Sequence, residues 1–102
     1  MASAAANLTY YAVDLIPVEQ RVPTADVIAQ HAAFLRELDD EGKLVLAGPF
    51  IDDPNGLLIL NCGDRMAADA IMNADPLIVS GVTTFRVHTW LIRGGSAATK
   101  GR

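Results

Sequence analysis

The chain carries one cysteine, two histidines and one tryptophan, and it has no apolar run near the roughly 20 residues that a membrane span requires. A single thiol, Cys62, excludes an internal disulfide, and in its apolar run it reads as an inert buried side chain. The histidines lie far apart, with no His-x-x-x-His and no cysteine pair, so no metal site is expected. There is no glycine-rich phosphate loop and no nucleophile elbow around Ser80, which removes the motifs for nucleotide binding and serine-based acyl transfer; no cofactor is expected. Basic residues are scarce too. Eight Lys and Arg face twelve Asp and Glu, for a net charge of −4 without an arginine-rich stretch, which argues against a nucleic-acid or anionic-membrane partner. The opening MASAAAN lacks the charged and long apolar regions of a secretory leader. A reducing cytoplasm is the expected location.

What is present is a core. Of 102 residues, 51% are hydrophobic and 20% charged, the balance of one globular domain, expected over residues 8–93 with flexible tails at 1–7 and 94–102. The segment LTYYAVDLI (8–16) is rich in strand-forming residues, and Pro17 closes it. A proline-bracketed loop follows, in which Arg21 is either a clamp for an acidic ligand or simply solvated. Thr24 caps a helix running to Glu41, with Gly42 as its stop. KLVLAGPF (43–50) and LLILNC (57–62) form a hairpin around DDPNG; Asp64 caps a second helix to about Ala74; VTTFRVHTWLI (82–92) is a long last strand. The order β-α-β-β-α-β is the ferredoxin-like, α+β arrangement with a four-stranded antiparallel sheet. A sheet with helices on one face should alternate apolar and polar residues, yet LVLA and LLIL are apolar on both sides. A second subunit is the simplest cover, giving a homodimeric α/β barrel that could associate further.

Three residues stand out for chemistry. His31 sits on the first helix among Ile28, Ala32, Leu35 and Leu38, flanked by Val27 and Phe34, on the stripe expected to face inward. It is either a core histidine bonded to a backbone carbonyl or a general base. Asp75, between the second helix and Pro76, is either the N-cap of a short turn through Ser80 or the partner of an imidazole. His88 shares a strand face with Thr84, Arg86, Trp90 and Ile92, a constellation suited either to an anionic or aromatic ligand or to a wet interface. Backbone amides near Gly48 or Gly81 are the available oxyanion donors.

HAAFLRELDDEGKLVLAGPF (31–50) followed by GLLILNCGDRMAADAIMNADPLIVSGV (56–82) resembles the YCII-like (YciI) family, whose pattern is a helix-one histidine, a Gly-x-Leu…Gly-Pro strand and an Ala-Asp-Pro…Gly stretch after helix two. AGPF (47–50) is also similar to DGPF-type domains. The resemblance covers about residues 8–92 and implies a dimeric α/β barrel with a His–Asp dyad at a pocket, on His31 and Asp75. Gly48 and Pro49 fall in the Gly-Pro strand and Ser80 follows the Asp-Pro. These three, with Arg86, His88 and Trp90, are the candidate substrate-binding residues, and no catalytic role is carried over to Ser80. Activities associated with such barrels include dehydrochlorination of a chlorinated hydroxyquinol, lactone isomerisation and cofactor-free oxygenation. Two functions are therefore in play. One is a cofactor-independent lyase or isomerase using the dyad as general acid and base on a small cyclic or phenolic metabolite. The other is a non-catalytic, small-molecule-binding or structural homodimeric module.

Overall fold

The computed structural model describes residues 8–96. Its elements run β1 (Thr9–Pro17), α1 (Ala25–Asp40), β2 (Leu44–Pro49), β3 (Gly56–Leu60), α2 (Arg65–Asn73), α3 (Pro76–Val79) and β4 (Thr83–Leu91). The strands form one antiparallel sheet in the order β2-β3-β1-β4. This is the ferredoxin-like α+β fold, and the expected order of elements holds. The expected tail at 1–7, and residues 97–102 of the expected tail at 94–102, lie outside the described residues. Pro17 proves to be the last residue of β1 rather than its stop, because its missing N–H falls at a strand end where no ladder bond is lost.

Local chemistry sets the element ends. Thr24 accepts the Val27 N–H at 3.1 Å and Asp64 accepts the Ala67 N–H at 2.8 Å, so both helices begin on the side-chain caps the sequence offers. Gly42 lies just past α1 at φ 76°, a left-handed conformation that suits glycine and ends the helix.

Strand alternation divides the sheet into two unlike faces. Tyr11, Val13, Leu15, Leu58, Leu60 and Val87 point toward the helices and pack with Leu38, Ala68 and Met72 into the core. The inward side of α1 is set by Phe34, Leu35 and Leu38, while Ile28, expected on the same stripe, is exposed. An apolar stripe spans some 100° of a helix, and the sheet covers only part of it. On the other face Leu57 and Ile59 of β3 alternate with the core residues. A bulge between Leu44 and Leu46 turns Leu46 opposite Ile59. Tyr10 stands opposite Trp90 across β1 and β4, and none of α1, α2 and α3 covers this side. Among the described residues no helix is long and apolar enough to cross a membrane.

Candidate functional site

The helix-side face of the sheet stops short of filling the space beneath α1. Leu15 and Pro17 of β1, Thr83 of β4, His31 and Leu35 of α1, Ala47–Pro49 of β2, the loop residues Pro54 and Asn55, and Leu77 of α3 enclose a cavity of about 440 Å³. The wall is apolar apart from His31, Thr83 and Asn55.

Two elements bring the dyad together. His31 lies at mid-α1, and Asp75 occupies the corner where α2 ends and α3 begins; α1 packs on α3. Asp75 is fully buried, at 0% exposure, and its Oδ1 accepts two bonds: from the Leu77 N–H at 2.9 Å and from His31 Nδ1 at 2.8 Å. The residue is thus both the N-cap of α3, with Pro76 at the first helical position, and the partner of an imidazole. The two readings open in the sequence describe one side chain. A carboxylate only accepts, so Nδ1 carries the proton and Nε2 is left with its lone pair. Nε2 has no protein partner among the described residues, and the His31 side chain keeps 18% exposure at the cavity. Asp75 Oδ2 is buried without a hydrogen-bond partner among the described residues, so the two donors on Oδ1 are what hold this carboxylate in an apolar setting.

Gly48 and Pro49, expected at the site, do line the cavity. Ser80 does not: its hydroxyl donates to the Leu77 carbonyl at 3.1 Å and closes α3. Arg86, His88 and Trp90 are not brought to the dyad. Strand period puts Thr83 and Val87 on the core side, so these three point to the open face. There His88 Nε2 meets Asp14 Oδ2 at 2.9 Å, with side chains 46% and 32% exposed, and Arg86 stands opposite Asp14 across the ladder. Ile92, expected on their face, lies there: it lines the same groove as Tyr10 and Trp90, is buried at its end, and donates its N–H to the Leu8 carbonyl.

Arg21 is a structural clasp: its Nη1 donates to the Gly81 carbonyl at 3.1 Å. Gly81 sits at φ 82°, and a Cβ there would come within 3.1 Å of that guanidinium. The Gly81 N–H donates to the Ile78 carbonyl, so it is not a spare oxyanion donor. Cys62 packs against the core at the end of β3, away from the cavity; burial, reinforced by the Asp64 charge and opposed by Lys43, pushes its thiol up from the ordinary range. Among the described residues no three His, Cys, Asp or Glu side chains cluster as metal ligands. Thr83 and Asn55 are cavity residues the sequence did not flag.

The YCII-related domain family matches residues 9–91. The uncharacterised protein YjpA of Bacillus subtilis strain 168 is 32% identical over 66 residues, 65% of this chain and 78% of YjpA. Among solved structures, a muconolactone isomerase superposes with a TM-score of 0.65 at 15% identity, over 85% of this chain and 92% of the isomerase. The 5-chloro-2-hydroxyhydroquinone dehydrochlorinase TftG of Burkholderia phenoliruptrix AC1100, solved with 2,5-dihydroxybenzoquinone, does so with a TM-score of 0.57 at 14% identity, over 86% of this chain and 97% of TftG. At such identities these likenesses establish the fold alone, the four-stranded ferredoxin-like α+β arrangement.

Proposed function

The chain belongs to the YCII-related domain family, and on that footing we propose that it is a cofactor-independent acid–base enzyme acting on a small cyclic or phenolic metabolite. The observation that carries this reading is the hydrogen bond between buried Asp75 and His31 at the wall of the cavity. His31 Nε2 takes a proton from an activated C–H or O–H of the bound ring, and Asp75 stabilises the resulting imidazolium. The electron pair moves into the ring. It then either recaptures the proton from Nε2 at another carbon, which is isomerisation, or expels a leaving group as its anion, which is elimination. An isomerase and a dehydrochlorinase share this fold, and this chemistry covers both kinds of outcome.

The same reading makes the protein a homodimer. The open face carries Leu46, Leu57, Ile59, Tyr10 and Trp90 with grooves of about 490 and 290 Å³, a surface suited to a second sheet. Arg86, His88 and Trp90 belong to that interface and not to the dyad cavity.

A second reading draws on the cap bond from Leu77, which gives Asp75 a purely structural occupation. It is a non-catalytic binding or structural module. One assay separates the two: an unsaturated five-membered lactone and a chlorinated hydroquinone are offered, with product and solvent-deuterium incorporation followed. Turnover should fall about 10²–10⁴-fold in His31→Ala. A wild-type protein that accelerates neither reaction nor exchange over buffer sinks the enzyme reading and leaves the module.

A further inference from the structure

Thr83 is 8% exposed, and its hydroxyl neither gives nor receives a hydrogen bond among the described residues. A buried hydroxyl without a partner is destabilising, and valine would fill the same strand position with the same branched shape and no such cost. The hydroxyl is not sealed in, however. Only Asp75 Oδ2 is both wholly inaccessible and unpartnered among the described side chains, so Thr83 Oγ1 keeps open surface. The residue lines the dyad cavity from the sheet, while His31 lines it from α1. Its side chain lies on the helix face, since Thr83, Phe85 and Val87 alternate with exposed Thr84, Arg86 and His88. Asn55, on the loop wall, spends its backbone N–H on Asp53 and its carbonyl on Phe50, and its carboxamide is likewise unengaged among the described residues.

We propose that Thr83 is a ligand-binding residue of this cavity: its hydroxyl bonds an oxygen substituent on a small ring, and so selects hydroxylated or carbonyl-bearing rings over oxygen-free ones of the same size. The inference rests on the cavity being the ligand site, as in the proposed function, but not on turnover. It adds a polar anchor on the sheet wall of a mostly apolar cavity whose helix wall carries the histidine, which fixes the ring's orientation toward Nε2.

The test is a backbone-amide NMR titration with two probes of similar shape, phenol and fluorobenzene, read at the cavity residues Leu35, Gly48 and Leu77. Phenol should bind Thr83→Val about five-fold more weakly than wild type, the loss of one neutral hydrogen bond, with fluorobenzene changed less than about two-fold. Thr83→Ser should retain the preference for phenol, and the melting temperature of Thr83→Val should match or exceed that of wild type. Equal losses for both probes, an unchanged phenol affinity, or phenol shifts confined to Tyr10 and Trp90 on the open face would overturn the assignment. So would the absence of shifts at saturating phenol. Failure here alongside His31-dependent turnover removes Thr83 and leaves the enzyme reading intact; phenol selectivity through Thr83 in a protein without turnover does the reverse.

Discussion

The molecule contains two histidine–aspartate pairs of nearly equal bond length, 2.8 Å for His31–Asp75 and 2.9 Å for His88–Asp14, on opposite faces of one sheet. Length does not tell them apart; environment does. Asp75 has no exposed surface, caps α3 through the same oxygen that binds the imidazole, and stands behind a cavity. Asp14 and His88 share their face with Arg86, and each keeps about a third or more of its side-chain surface in water. A pair of the first kind can hold one ring nitrogen fixed while the other faces an apolar pocket. One of the second kind, in the single subunit, is screened and exchanges readily with water.

The comparison breaks first, if it breaks, on stability. Asp75→Ala removes an N-cap bond and a charge-assisted bond in the interior, for an expected cost of about 3 kcal/mol and a Tm fall of about 15 °C. In the monomeric subunit, Asp14→Ala should change stability by no more than about 0.5 kcal/mol, less at high salt. Thermal melts of both variants at two salt concentrations decide it, and similar losses for the two would make the faces equivalent. Next in size is the oligomer. Leu46→Glu puts a charge in the apolar groove of the open face, and sedimentation should show the dimer giving way to monomer while the His31–Asp75 pair stays formed. A wild-type protein that sediments as a monomer would remove the second subunit from the account.

A finer contrast lies in the protons themselves. His31 bonds its aspartate through Nδ1 and His88 through Nε2, so the neutral rings should be opposite tautomers, Nδ1–H for His31 and Nε2–H for His88. Ring-nitrogen NMR shifts at alkaline pH read this directly. His31 should lose its Nδ1–H preference in Asp75→Ala, with His88 unmoved. The same tautomer in both rings of the wild type would mean that Asp75 does not position His31.

Much of this was legible in the residues, and the failures have a common cause. Thr24, Asp64 and Asp75 announce helix starts through short polar side chains, a local effect that needs no tertiary information. The dyad could be anticipated because a histidine on an inward stripe needs a partner and Asp75 sits at a corner that reaches it. Period two grouped Arg86, His88 and Trp90 on one strand face correctly, but periodicity says only that two faces differ, not which one carries the helices. That is why these residues seemed available to the dyad. Ile28 failed the same way, on the edge of a stripe wider than the sheet that covers it. Thr83 gave no signal because a threonine in a strand is ordinary; only its burial without a partner makes it informative.

Cys62 supplies the smallest effect and a control for the helix-side face, since it packs against the same core yet stands outside the cavity. Burial disfavours its thiolate, the neighbouring Asp64 charge adds to this, and Lys43 partly offsets it. The thiolate is the reactive form, so iodoacetamide should modify Cys62 more slowly than a free cysteine at neutral pH, and the rate should rise only at pH above the ordinary thiol range. Asp64→Asn, which keeps a side-chain oxygen for the α2 cap, should quicken the reaction modestly, and Lys43→Gln should slow it. Mass-spectrometric rates across pH give the answer. A Cys62 that reacts as fast as a free thiol would mean that its partial burial and the Asp64 charge do not restrain it, and the contrast between a buried pair and an exposed pair would lose this support.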